Sequence, residues 1–152
     1  MNKIKKTYHD NDTLNEEYEV NEEGAKNGYY KLFHDNGQLQ VEISFSEGNQ
    51  NPGTIISYHK NGNKAREVVL SKNGNLNGAF TEWHDNGQLK KQGVYNEDVR
   101  TIQKEWEENG NVHIESELNE KGERHGVTRL YHKNGQLQVE ENFTNGIQDD
   151  GT

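Results

Sequence analysis

The sequence predicts an all-β protein: an elongated, twisted antiparallel sheet of about six tandem β-hairpin units, each near 25 residues long. Three observations predict it. An aromatic-led motif ending in Asn-Gly recurs at near-constant spacing. Apolar residues between the copies alternate with period two. A second glycine-bearing turn separates each copy from the next.

The copies are Phe33-His34-Asp35-Asn36-Gly37-Gln38-Leu39, Tyr58-His59-Lys60-Asn61-Gly62-Asn63-Lys64, Trp83-His84-Asp85-Asn86-Gly87-Gln88-Leu89, Trp106-Glu107-Glu108-Asn109-Gly110-Asn111-Val112 and Tyr131-His132-Lys133-Asn134-Gly135-Gln136-Leu137. The aromatics are 25 residues apart, except for a step of 23 from Trp83 to Trp106. A worn copy, Tyr8-His9-Asp10-Asn11-Asp12-Thr13-Leu14, lies 25 residues before Phe33. Asn-Gly between alternating apolar runs predicts a two-residue type I′ hairpin turn, because both residues tolerate positive φ.

Before the turn, Tyr29, Lys31 and Phe33 share one strand face, as do Ala79, Thr81 and Trp83. After it, Leu39, Val41, Ile43 and Phe45 alternate with polar residues, and Leu137, Val139 and Phe143 repeat the pattern. The linking turns carry Gly48, Gly74 and Gly122, and a further glycine opens the next strand at Gly28, Gly53, Gly78 and Gly126. The short unit lacks that last glycine, so an irregularity is expected near residues 96–100. The expected organisation is a degenerate capping repeat over 1–26, a repeat domain over 27–146 and a flexible tail over 147–152.

Composition bounds the function. Leu, Ile, Val and Phe supply only 29 of 152 residues, and the net charge is -9. Such a chain folds only if patterning uses its apolar residues efficiently. The acidic balance argues against direct nucleic-acid binding, which needs clustered Lys and Arg, and equally against anionic membrane surfaces. The acidic balance favours a basic protein partner. There is no cysteine, hence no disulfide and no thiol chemistry. No apolar leader follows the basic start, so a cytoplasmic location is expected.

Five histidines follow the repeat aromatics: His9, His34, His59, His84 and His132. Equivalent residues of adjacent hairpins stand about 10 Å apart, too far to share an ion at bond lengths of about 2 Å. They are read as solvent-facing or as bonding their own turns, and no metal or cofactor is expected. No carboxylate pair is marked as catalytic, and nucleophile-elbow and phosphate-loop patterns are lacking, so no enzyme activity is expected. Candidate partner-binding residues are Tyr30 and Phe80, which lie opposite the repeat aromatics, with Trp83, Trp106, Glu107, Glu108, Glu140 and Glu141. Aromatics dominate binding hot spots.

The unit of aromatic, Asn-Gly, Leu, strand and second glycine turn resembles a MORN repeat, most closely the bacterial variant of YwqK-type antitoxins. The likeness covers residues 27–146 well and 8–26 weakly. It implies a non-enzymatic binding role as an antitoxin or immunity protein that blocks a basic toxin or nuclease. Two alternatives stand beside it. One is a phage-encoded, anti-CRISPR-like inhibitor of a nucleic-acid-cutting defence system. The other is a scaffold that self-associates, as a homodimer for instance, through its sheet edges.

Overall fold

The structure is a computed structural model, which describes residues 1–149. The regular elements among them are all β-strands, and they fall in two compact units, residues 1–75 and 76 onward. The first unit contains β1 (Lys3–Tyr8), β2 (Leu14–Val20), β3 (Lys26–Phe33), β4 (Leu39–Ser46), β5 (Asn49–Gln50), β6 (Gly53–Tyr58) and β7 (Lys64–Leu70). Consecutive strands pair antiparallel, with β5 and β6 sharing one edge of β4 on either side of Pro52. Proline lacks the N–H a ladder needs and so interrupts the strand.

The second unit contains β8 (Gly78–Trp83), β9 (Leu89–Asn96), β10 (Val99–Trp106), β11 (Val112–Leu118), β12 (Arg124–Tyr131), β13 (Leu137–Thr144) and β14 (Ile147–Gln148). It too is a sequential antiparallel meander. Each unit is thus a run of tandem hairpins, as the sequence predicts. Of the tail expected over 147–152, Ile147 and Gln148 pair with Thr144 and Phe143, and residues 150–152 lie outside the described ones.

The turn chemistry differs from the sequence reading. In the Asn-Gly loops only glycine takes positive φ, for example 81° at Gly37, and Asn36 does not. Gly37 N–H donates to His34 C=O at 2.9 Å, and His34 N–H donates to Gln38 C=O at 2.8 Å. This is a three-residue loop: a type I turn followed by a left-handed residue. Asp12 fills the glycine position in the worn copy at φ 63°, which aspartate tolerates better than most residues. The two-residue turns with both φ positive are at the other end of the strands, at Glu47-Gly48, Glu97-Asp98 and Asn145-Gly146. They alternate along the chain with longer turns at Asn21–Ala25, Ser71–Asn75 and Asn119–Glu123.

Within each unit the loops also stitch one repeat to the next. His9 Nε2 lies 3.0 Å from Phe33 O, His34 Nε2 2.8 Å from Tyr58 O, and His84 Nε2 3.0 Å from Trp106 O. A carbonyl only accepts, so Nε2–H donates in each pair. The loop asparagine works in both directions. Asn36 Oδ1 accepts from Gln38 N at 3.1 Å, and its Nδ2 donates to Lys60 O at 2.6 Å. Asn86 does the same with Gln88 and Glu108. His9, His34 and His84 therefore bond the following repeat and not their own turn.

Beneath each Asn-Gly loop the register shifts. Phe33 faces Leu39 while Leu32 faces Val41, which leaves Gln40 as the extra residue of a bulge. The same shift recurs at Tyr8, Tyr58, Trp83, Trp106 and Tyr131. A bulge re-aims the side chains beyond it. Leu39 consequently joins Phe33, whereas Val41, Ile43 and Phe45 lie opposite Leu32, Tyr30 and Gly28. The core face carries Tyr18, Tyr30 and Phe45, with buried Val20, Val68 and Leu70, in the first unit, and buried Phe80, Tyr95, Ser116 and Thr128 in the second. This corrects the reading of Phe80. It is 2% exposed and packs on Tyr95 at 5.2 Å between ring centroids, so it has no surface to offer a partner.

Candidate functional site

The face opposite the core carries a row of alternating charge, built by register. Within every hairpin the residue two before the repeat aromatic pairs with the residue nine after it. In the first unit Lys6 faces Glu17, Glu17 faces Lys31, and Lys31 faces Glu42. In the second, Lys104 faces Glu115, Glu115 faces Arg129, and Arg129 faces Glu140. Lys6 Nζ lies 2.7 Å from Glu17, Lys104 Nζ 3.1 Å from Glu115, and Arg129 Nε 2.7 Å from Glu140. Opposite charges directly across a strand pair stabilise the pairing, and like charges weaken it.

A tyrosine braces the central carboxylate of each row. Tyr29 donates to Glu17 Oε1 at 3.1 Å, and Tyr131 to Glu115 Oε1 at 2.7 Å. The Tyr131 hydroxyl and then Lys104 hold the Glu115 carboxyl below its ordinary pKa, while for Glu17 the Lys6 ammonium acts first and Tyr29 second. On the core face, burial and then the bond to Glu16 Oε1 at 2.5 Å push the Tyr30 phenol up to about 12.

Two of the open depressions on the second unit bear on these residues. One, of about 400 Å³, runs along the charged row beside Gln92, Lys104, Glu115, Glu117 and Arg129. The other, of about 570 Å³, lies at the Asn-Gly end and is walled by Trp106, Glu105, Glu107, Glu108, His113 and Lys133, among others. In it His113 Nδ1 stands 3.2 Å from Glu107 Oε1; Lys104, which lines the first depression, has its Nζ 5.5 Å from the centre of the Trp106 ring. Among the described residues no group of three or more His, Asp or Glu is placed to hold a metal ion.

The structure brings together three of the residues singled out from sequence: Trp106, Glu107 and Glu108 share the Asn-Gly-end cleft. Glu140 is exposed on the charged row, and Glu141 faces Thr128 from the core side. Trp83 is half-buried at the end of β8. Tyr30 is half-buried in a cluster with Tyr18 and Phe45, and Lys26 Nζ sits 3.9 Å above its ring. Sequence reasoning missed the cleft residues His113 and Lys133 and the whole charged row. The row was legible in principle as a positive charge two residues before four of the six aromatics (Lys6, Lys31, Lys104 and Arg129), with a glutamate nine after each of those aromatics.

The model of the MORN repeat variant matches three segments, residues 26–47, 76–97 and 124–145. These are the hairpins β3–β4, β8–β9 and β12–β13, each alternate with an unmatched one. The unmatched hairpins are the worn copy at Tyr8, the Tyr58 copy with Lys64 and Arg66 at apolar positions, and the Trp106 copy with Glu107 in place of histidine. No curated protein matches the chain.

Proposed function

We propose that the chain, a carrier of MORN-variant repeats, is a non-enzymatic protein-binding module of the antitoxin or immunity kind, whose target is a basic toxin or nuclease. One observation carries the reading: an aromatic and three carboxylates, Trp106 with Glu105, Glu107 and Glu108, converge in one open cleft. Repeat proteins bind through rigid surfaces of this type. Lys90 and Lys133 also line the cleft, so the steering of a cationic partner would come from the net charge of -9 on the whole chain, and the cleft would supply carboxylates that orient it.

The test is affinity capture of the tagged chain from lysate of its source organism, beside a Trp106→Ala/Glu107→Lys/Glu108→Lys variant. One basic nuclease or toxin held at equal stoichiometry by the unaltered chain and lost by the variant supports the proposal. Recovery of equal amounts by both removes the cleft from it. Recovery of the chain itself or of envelope components favours the scaffold reading, which the open edges of β1 and β13 also support.

A further inference from the structure

We propose that a second copy of this chain docks head to tail, its β1 pairing with the open edge of β13. The proposal is independent of the inhibitor reading. Its basis is a register rule that every inter-hairpin pairing within the two units obeys. The residue nine after one repeat aromatic faces the residue two before the next: Glu17 with Lys31, Glu42 with Ile56, Gln92 with Lys104 and Glu115 with Arg129. Extended past Tyr131, the rule places Glu140 opposite the residue two before the next aromatic. Lys6 occupies that position before Tyr8 in a second copy.

The slot has the right size. Strand β14 pairs with Phe143 and Thr144 as β5 pairs with Phe45 and Ser46, and Asp149 N–H donates to Asn142 O as Asn51 N–H donates to Ser44 O, each at 2.8 Å. Beyond β5 the edge of β4 is taken by β6, a strand of six residues of which Ile56 and Ser57 pair with Glu42 and Val41. Beyond β14 no described strand takes the edge of β13. Strand β1 is also six residues long, and each of its residues stands 50 before its counterpart in β6. The meander alternates direction, so β1 would meet β13 antiparallel.

The chemistry of the two edges is complementary at that register. Glu140 would face Lys6 and continue the alternating row across the junction. In the loops, Asp35 binds Lys60 of the next repeat at 2.7 Å. The corresponding residues at the junction are Lys133 and Asp10, the same pair with its charges exchanged. His132, whose counterparts His9, His34 and His84 bond the next aromatic's carbonyl, would meet Tyr8 O of the second copy. Exposed large apolar side chains also gather at these edges: Ile4 and Tyr8 on β1, Leu137 and Val139 on β13, and Ile147 on β14. The contact is heterologous, so repeated use gives a ring or an open filament.

Sedimentation velocity over a wide concentration range tests this with two variants of the full chain. The head variant is Lys6→Glu/Asp10→Lys, and the tail variant is Lys133→Asp/Glu140→Lys. The unaltered chain is expected to gain mass with concentration. Each variant alone sets like charges against each other and should need about tenfold more protein to associate. An equimolar mixture of the two restores complementarity at both junctions and should recover association. Lys6 and Glu140 also have partners in their own chain, Glu17 and Arg129. The loop reversals Asp10→Lys and Lys133→Asp, alone and mixed, therefore serve as a second pair that leaves the strands unaltered. A chain that stays monomeric at every concentration overturns the proposal and leaves the β13 edge to a different protein. Variants that associate like the parent, or folded variants whose mixture does not recover, overturn it as well.

Discussion

Phe80 lies directly across the strand pair from Gly93, and its ring occupies the space a side chain there would need. A Cβ on Gly93 would come within 2.8 Å of Phe80 Cε1 and would collide with Thr101 O on the other neighbouring strand. The small residue and the large one are a single packing solution. Gly93→Ala is expected to cost about 1–3 kcal/mol by overpacking, and Phe80→Ala about 3–5 kcal/mol by leaving a cavity. Urea denaturation of both variants checks this. A Phe80→Ala protein of undiminished stability would contradict the core assignment.

The histidine stitches give a second prediction. In His84→Ala the Trp106 carbonyl loses its donor, 3.0 Å away. A loss of about 1 kcal/mol is expected, and His34→Ala should lose a similar amount through Tyr58 O. Amide hydrogen exchange would locate the effect in the repeat that follows the mutated one, whereas a histidine bonding only its own turn would loosen that turn alone.

The strained turn at Glu97-Asp98 predicts a gain. Both residues hold positive φ, 47° and 65°, a conformation that costs a residue with a Cβ about 1–2 kcal/mol. Asp98 recovers part of it, since its Oδ1 accepts from Leu76 N at 2.7 Å. Glu97 accepts from Asn77 Nδ2 at the longer distance of 3.3 Å. Glu97→Gly should therefore raise stability by about 0.5–1 kcal/mol after the larger chain entropy of glycine is counted. Asp98→Gly should gain less.

Tyr30 sets an alkaline limit. Its phenol is held near 12 by burial and by Glu16, above the ordinary value near 10. A raised folded pKa means that this contribution is fully present below the unfolded pKa and is lost as pH rises through the folded one. The Tyr29 phenol is also raised, by burial and then by Glu17, and that of Tyr131 by Glu115 and then by burial. Spectrophotometric titration should show Tyr30 as the last step, near the onset of alkaline unfolding. Tyr30→Phe should remove that late step.

Glu115 acts at the acid end. Its carboxyl is held below the ordinary carboxylate range by Tyr131 and Lys104. The contribution is present above the unfolded pKa and is lost as pH falls through the lower folded value. Glu115→Gln should be less stable than the parent at neutral pH, and the difference should close on acidification. Melting curves across that range check the sign. A difference that widened in acid would contradict the placement of Glu115 between two cations.

The sequence by itself determined that the chain is a run of β-hairpins, because period-two patterning and a motif returning every 25 residues admit little else. It also located the turns, and the Trp106-Glu107-Glu108 group at one of them. Tertiary structure decided which face is core. The bulge beneath each Asn-Gly loop moves Leu39 to the side of Phe33 and leaves Tyr30 and Leu32 to meet Ile43 and Val41. One extra residue in one strand flips the sense of every residue beyond it, and alternation read along a single strand does not reveal it. For the same reason Phe80 looked available for binding. Turn type, too, was settled by cross-strand bonds: His34 and Gln38 close a three-residue loop, whereas the dipeptide Asn-Gly alone permits either kind. The charged row belongs to both levels. Its residues recur in the sequence, but only pairing sets Glu17 between Lys6 and Lys31, and Glu115 between Lys104 and Arg129.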